Sequence, residues 1–302
     1  MVDLKEIKSI KIVPFTLMTS SVSAIWAFIY AIFIAIVYTI GYAISPTPAS
    51  GIALSIYIAS IVASPVLSFV LGILQYFLIA LIYNILVPKL GGIKLGLVDM
   101  REIRSLPVVP FALITSAVWA IITLIVLLII MPYFAAYMSI LSQTLSSLPL
   151  NTTTIPAGSL SALGAFGTIG SIISIIIGPI IVFVASFILS ALSVIFYNLL
   201  ASKLGGIKLE FAATSEGIFE IISIAPVQAA LILASVATIW GIIIGLIFLI
   251  IFAASGSVIM GLGFLVGVIV GSFVGSFIVY AIFALIYNFL RPRIGGVKLE
   301  LE

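Results

Sequence analysis

Histidine and cysteine are both absent from the 302 residues, and only 7% of positions carry Asp, Glu, Lys or Arg. Without cysteine there is no disulfide, no thiolate nucleophile and no thiolate ligand for zinc or an iron–sulfur cluster. Without histidine the commonest general base and metal ligand is missing as well. A charged fraction of 7% stands far below the roughly 25% of soluble domains, which excludes a soluble globular chain. The few charges are also confined to four clusters: Asp3 to Lys11, Lys89 to Arg104, Lys203 to Glu220 and Arg291 to Glu302. The stretches between them, Ile12 to Pro88, Ser105 to Ser202 and Ile221 to Leu290, hold no carboxylate, amine or guanidinium side chain. That argues against a proton- or sodium-coupled carrier, which usually keeps ionisable groups at membrane depth. No Gly-rich loop leads into a Lys-Ser or Lys-Thr pair, and twelve basic residues beside nine acidic ones make no broad patch for nucleic acid. Neither an enzyme nor a bound cofactor or metal is expected.

What is present is apolar. Hydrophobic residues make up 64% of the chain and the mean hydropathy is +1.48. A spanning helix needs about 20 residues, so each charge-free stretch has room for two helices and a connection. Two crossings per stretch put all four charged clusters on one side, and the excess of Lys and Arg there predicts the cytoplasm. The expectation is a multi-pass protein of the cell membrane with six transmembrane helices and both termini cytoplasmic. The one Asn-x-Ser/Thr sequon, at Asn151, falls in a loop that this topology places outside, as a candidate glycosylation site. The apolar run from Ile12 is too long for a cleaved signal peptide.

The chain also repeats itself. "VDLKEIKSIKIVPFTLMTS" from Val2 reappears as "VDMREIRSLPVVPFALITS" from Val98, and a third opening from Glu220 keeps Glu-Ile-x-Ser but loses the basic residues. "YNILVPKLGGIKL" from Tyr83 recurs as "YNLLASKLGGIKL" from Tyr197 and "YNFLRPRIGGVKL" from Tyr287. Three repeats follow, 1–97, 98–211 and 212–302, each with two transmembrane helices, the second having the longer outer loop. First helices are predicted at Pro14 to Ile40, Pro110 to Ile130 and Pro226 to Phe252, with a proline near each start, where its missing N–H costs nothing. Second helices end at the closing phrase. Pro65 and Pro179 are expected to break them, leaving Gly51 to Ala63 and Ser159 to Ile177 as outer-side or re-entrant helices.

In the closing phrase the tyrosine suits a headgroup boundary, and the glycine pair permits the positive φ that turns the chain. Beyond it, Ile207, Leu209 and Phe211 alternate with Lys208 and Glu210, the period of a half-buried strand. The opening segments read either as strands or as short interfacial helices, since Asp3-x-x-Glu6 and Asp99-x-x-Glu102 resemble capping boxes. The strand reading is favoured, and it lets Val297 to Leu301 pair with Ile7 to Ile12 and close a ring. The fold class is then an all-α polytopic membrane protein with short β-strands at the cytoplasmic face, its six helices in three tandem, pseudo-threefold repeats.

Several residues are candidates for function. Asn84, Asn198 and Asn288 either form a polar ring about the axis or bond locally to neighbouring backbone. Lys94, Lys208 and Lys298 either meet lipid phosphates or anions or form a solvated strand face. Gly263, Gly267, Gly271 and Gly275 recur every fourth residue, as do Gly241 and Gly245, and are expected to bring the fifth and sixth helices together through small-residue packing.

The phrase from Tyr197 to Glu210, with the Ile-Lys-Ile-x-Pro-Phe opening at Ile10 to Phe15, resembles a family of two-helix transmembrane domains of unknown function, actinobacterial in type. The resemblance implies two membrane helices bracketed by short strands, here in three copies, and no activity. This chain departs from that pattern in having Lys94, Lys208 and Lys298 where the family tends to be acidic. The leading functional expectation is a non-enzymatic integral membrane scaffold or accessory subunit that binds lipid or another membrane protein. The alternative is a passive channel for a small solute or ion along the pseudo-threefold axis. Membrane lipids and a second membrane protein are the expected partners, nucleic acid is not, and the oligomeric state is open.

Overall fold

The computed structural model describes residues 2–147 and 158–302; Asn151 and its sequon lie outside the described residues. Among the described residues six helices are long and apolar enough to cross a membrane. They are α1 (Ile12–Ile44), α2 (Pro48–Leu90), α3 (Val108–Ser147), α4 (Ser159–Leu204), α5 (Pro226–Ala254) and α6 (Val258–Ile294). The strands are β1 (Asp3–Ile10), β2 (Lys94–Val98), β3 (Glu102–Ser105), β4 (Ile207–Ser215), β5 (Ile218–Ile224) and β6 (Lys298–Leu301). The chain is thus a multi-pass membrane protein with a small antiparallel sheet.

The expected breaks at Pro65 and Pro179 do not occur. Both prolines lie inside continuous helices, of 43 residues in α2 and 46 in α4, so Gly51 to Ala63 and Ser159 to Ile177 are ordinary helix and not separate re-entrant pieces. Pro132 is likewise internal to α3, which carries the helix beyond the predicted stop at Ile130 to Ser147. A proline costs a helix one hydrogen bond and a steric adjustment. In an apolar solvent, breaking the helix would expose several unpaired backbone groups instead, so the helix continues through it. At 1.5 Å per residue α2 and α4 are about 65–70 Å long, roughly twice the hydrocarbon thickness of a bilayer.

Where a helix does stop, the sequence supplies the means. Between α1 and α2, Thr47 and Ser50 form a reciprocal capping box, the Ser50 N–H donating to the Thr47 hydroxyl at 3.1 Å and the Thr47 N–H to the Ser50 hydroxyl at 2.8 Å. This satisfies two of the four N–H groups that every helix start leaves unpaired.

All three opening segments are strands. The interfacial-helix alternative is ruled out, because these segments are hydrogen-bonded into a closed antiparallel barrel in the order β1-β2-β3-β4-β5-β6. Closure comes from β1 and β6, with Ile7 opposite Leu301 and Ile10 opposite Leu299. Asp3 and Asp99 consequently cap no helix. Asp99 and Met100, both at positive φ, are the central residues of the turn between β2 and β3, which the Arg101 N–H closes by donating to the Val98 carbonyl at 2.9 Å. That backbone matches strand twist. The boundary predicted at 97/98 falls inside β2, one residue before this turn, and the one at 211/212 falls inside β4. Alternation sorts the side chains: Leu299 and Leu301 are buried and alternate with the partly exposed Lys298 and Glu300.

Two compact units are present. One comprises residues Met1–Phe111 and Leu192–Glu302, holding the barrel, α1, α2, α5, α6 and the adjoining ends of α3 and α4. The other is Ala112–Ala191, the remainder of the α3–α4 hairpin. In the hairpin unit, Gly167 lies against Met138, and Ser171 donates to the Met131 carbonyl at 3.1 Å.

In the barrel unit, α1 meets α2 where Gly72 faces Ser20, and the contact of α5 with α6 corrects the glycine expectation. Gly241 lies against Ser272, and Gly245 against Leu265. On α6 the close glycine is Gly261, facing Leu249 and Phe252 of α5. An added Cβ at Gly263, Gly267, Gly271 or Gly275 would meet nothing within 4 Å, and all four are exposed. Gly261, outside the four-residue series, sets the rotation of α6, which turns the stripe away from α5. Gly245→Leu should therefore lower the melting temperature of the detergent-purified protein by several degrees, whereas Gly271→Leu should leave it unchanged. Equal loss in both variants would contradict this helix rotation.

Candidate functional site

The closing phrase and the opening strand form the same joint at three places. At each, the tyrosine hydroxyl donates to a carbonyl of the opening strand and accepts from the N–H that begins the closing strand. Tyr83 donates to the Ile7 carbonyl at 2.7 Å and accepts from the Ile93 N–H at 3.0 Å. Tyr287 does the same with the Ile221 carbonyl, at 2.7 Å, and the Val297 N–H, at 3.0 Å. Tyr197 donates to the Ile103 carbonyl and accepts from the Ile207 N–H at 3.0 Å.

The next residue completes the joint. Each asparagine accepts through Oδ1 from an N–H, and donates through Nδ2 to the carbonyl of that same residue. The partners are Ile10 for Asn84, Leu106 for Asn198 and Ile224 for Asn288, at 2.8–2.9 Å throughout. An amide bridging one residue's two polar groups supplies what a neighbouring strand would have supplied at a strand end. Of the two expectations for these asparagines, the local one describes their bonding, and their amides are engaged with backbone at the barrel end of each helix.

The glycine pair serves two separate needs. Gly91, Gly205 and Gly295 end the helices at φ of 80°, 84° and 81°, a conformation that disfavours a Cβ. A Cβ at Gly92, Gly206 or Gly296 would instead collide with the carbonyl of Ile7, Ile103 or Ile221. The N–H of this second glycine then donates to a glutamate from the opening strand: Glu6 at 2.7 Å, Glu102 at 2.7 Å and Glu220 at 2.9 Å. These glutamates were not among the expected site residues. Their signal was in the sequence, because Glu-Ile-x-Ser is what the third opening keeps when every basic residue around it is lost.

Cations surround the glutamates. Lys8 lies 3.5 Å from Glu6, Arg104 2.7 Å from Glu102, and Arg291 3.1 Å from Glu220. Of the three lysines expected to meet anions, Lys298 is 4.0 Å from Glu220, and Lys94 and Lys208 help to hold Glu6 and Glu102 ionised. The hydrogen bond from Gly92 is the main reason that Glu6 stays ionised below the usual carboxylate range, with the charges of Lys8 and Lys94 assisting. The Gly206 hydrogen bond does the same for Glu102, followed by Arg104. Lys208 also lines a cleft of about 340 Å³ with Asp99, Arg101 and Glu210. Among the described residues no group of three acidic side chains is placed to hold a metal ion.

Beside the barrel, the barrel unit holds an open cavity of about 420 Å³. Ile103, Ile207, Leu209 and Ile224 form its strand-borne wall, and α1, α2, α5 and α6 supply the rest. Its polar lining consists of hydroxyls, from Thr19, Ser23, Tyr76, Tyr280 and Tyr287. Tyr76 and Tyr280 stand seven residues before Tyr83 and Tyr287, two helical turns away on the same face.

The fold and these joints define a polytopic helical membrane protein carrying a closed six-stranded barrel. No family model, curated protein or solved structure matches the chain.

Two measurements test the joints. Tyr197→Phe removes a hydroxyl from between a carbonyl and an N–H, and should cost about 2 kcal/mol by leaving both partly buried groups unpaired. A denaturation midpoint equal to that of the native chain would contradict the assignment. The glutamates set a pH dependence. Glu6 and Glu102 are depressed below their ordinary 4.5, so their contribution is fully present above that value and is lost as pH falls through the lower folded-state values. Thermal stability should be flat from pH 7 to about 5 and fall in more acidic buffer. The double variant Glu6→Gln, Glu102→Gln should flatten the acid limb, and an unchanged limb would assign the dependence elsewhere.

Proposed function

We propose that this protein is a non-enzymatic integral membrane scaffold or accessory subunit, built from three tandem copies of a two-helix unit around a pseudo-threefold axis. It binds lipid or another membrane protein through its helix faces and barrel. The observation that carries this reading is the placement of its polar groups. The recurring tyrosine, asparagine and glutamate side chains bond to the chain's own backbone, while large apolar side chains such as Val62, Val66, Ile180 and Ile250 are exposed on the spanning helices. A chain that uses its polar residues on its own backbone and offers apolar faces outward is suited to holding neighbours in a bilayer.

The repeated joint also fits the resemblance to two-helix transmembrane domains bracketed by short strands. A passive channel is the weaker reading. Its proposed ring of Asn84, Asn198 and Asn288 has its amides turned to Ile10, Leu106 and Ile224, and the barrel buries Leu95, Leu97, Leu209, Leu299 and Leu301. The barrel faces the cytoplasm in this proposal, because every Lys and Arg lies at the barrel end of the helices.

Native mass spectrometry of gently extracted protein should show stoichiometric lipid or a second membrane protein. Bare protein that conducts ions in liposomes would reverse the order of the two readings. The orientation is tested separately, and the chain has no native cysteine to interfere. A membrane-impermeant maleimide applied to intact cells should label Ser255→Cys, between α5 and α6, and spare Glu302→Cys.

A further inference from the structure

The cavity of the barrel unit has an unusual chemistry for a site next to a charged barrel, because its lining holds no Asp, Glu, Lys or Arg. Its walls are Met18, Val22, Leu233, Phe283 and the strand isoleucines, and its polar groups are hydroxyls alone. Some of these are already spent. Thr19 donates to the Phe15 carbonyl at 2.6 Å, and Tyr287 donates to the Ile221 carbonyl at 2.7 Å. Ser23 and Tyr76 lie 2.9 Å apart across α1 and α2. One of their two hydrogens makes that bond, and the other is left to donate. Tyr280 makes no hydrogen bond among the described residues. The cavity therefore combines apolar walls with two uncommitted O–H donors, the pattern of a small-molecule site with a few convergent polar groups.

We infer that this cavity binds an uncharged lipid whose small head bears carbonyl oxygens, the design of an isoprenoid quinone. Its oxygens accept from Tyr280 and from the Ser23–Tyr76 pair, and its hydrocarbon lies along Met18, Val22 and Phe283. A phospholipid head does not suit the site, since its phosphate would sit among apolar walls with no Lys or Arg in the lining as counter-charge. Depth argues the same way. Tyr76 is two turns, about 10 Å, farther into the membrane-spanning helix than Tyr83 at the barrel, whereas a phospholipid's polar end stays in the headgroup layer. The inference deepens the lipid-binding reading above and rests on it.

Trp26 supplies a reporter, its ring centroid 5.2 Å from that of Phe283 in the cavity wall. In the full-length variant Trp119→Phe, Trp240→Phe it is the sole tryptophan. Titrating decylubiquinone into this protein in detergent should quench Trp26 saturably, with one site per chain. Tyr280→Phe removes a hydroxyl that bonds nothing else described in the protein, so it should leave the melting temperature unchanged and weaken binding about five-fold. The double variant Ser23→Ala, Tyr76→Phe, which removes both hydrogens of the pair, should weaken binding by a similar factor, and Ala284→Phe, which fills the cavity, should abolish saturation. Linear quenching that is identical in native and Tyr280→Phe proteins would mean partition into the micelle only and would overturn the inference. Phosphatidylglycerol with brominated chains separates the remaining outcomes. Saturable quenching by that lipid in place of the quinone would overturn the neutral-head assignment while keeping lipid binding. Saturation by neither probe, in protein that also retains no lipid on extraction, would remove the lipid-binding reading as well.

Discussion

The tyrosine hydroxyl that joins an opening strand to a closing strand is the interaction on which the remaining architecture depends. A helix leaving the membrane must stop, reverse and begin a strand within a few residues, and each change of structure strands backbone donors and acceptors. Tyr83, Tyr197 and Tyr287 each supply a donor and an acceptor to two such groups at once. The asparagine beside each tyrosine treats a third residue in the same way, and the glutamate of the opening strand takes up the freed glycine N–H. Apart from the tyrosine's bond to the closing strand ten residues on, these bonds span 64 to 104 residues, so together they tie a helix end to a strand that the chain made before it entered the membrane.

Barrel closure follows from this. Six strands of four to nine residues would be poor sheets individually, and an open sheet beside a membrane would present unpaired edges. Pairing β6 with β1 removes the edges and joins the two termini of the chain. Glycine makes the geometry available, because the strand carbonyls of Ile7, Ile103 and Ile221 occupy the space a Cβ would need. Helix packing and strand packing are in this way solved by one phrase.

The helices obey a different logic. Little in α2 or α4 distinguishes one face from another, and most of their surface is apolar and exposed. Their register is fixed where small or polar residues meet: Gly72 against Ser20, Ser23 against Tyr76, Gly241 against Ser272. Without a hydrophobic driving force between helices in lipid, such close approaches and hydrogen bonds are the available means of fixing neighbours.

Sequence alone determined that this is a six-helix membrane protein with a strand after each closing phrase at the charged end, since charge-free length and period-two alternation are local properties that survive burial; it favoured strands over interfacial helices for the opening segments, and only the structure decided that choice and the return of β6 to β1. It also located the tyrosine, asparagine and glycine positions, because their repetition is visible without coordinates. It could not decide the rotation of α6. Gly263, Gly267, Gly271 and Gly275 define a stripe, but Gly261, outside that stripe, sits against Leu249 and Phe252. Spacing reveals which residues share a face, and only packing reveals which face has a neighbour. Nor could it decide that Pro65 and Pro179 stay within helices, since the cost of a proline depends on what the freed carbonyl would otherwise meet. The glutamates Glu6, Glu102 and Glu220 read as surface charges until the tertiary structure brought each beside a glycine N–H from a turn some 75 to 105 residues away. The cavity was beyond the sequence altogether, because its lining comes from four helices and three strands that only the folded chain places together.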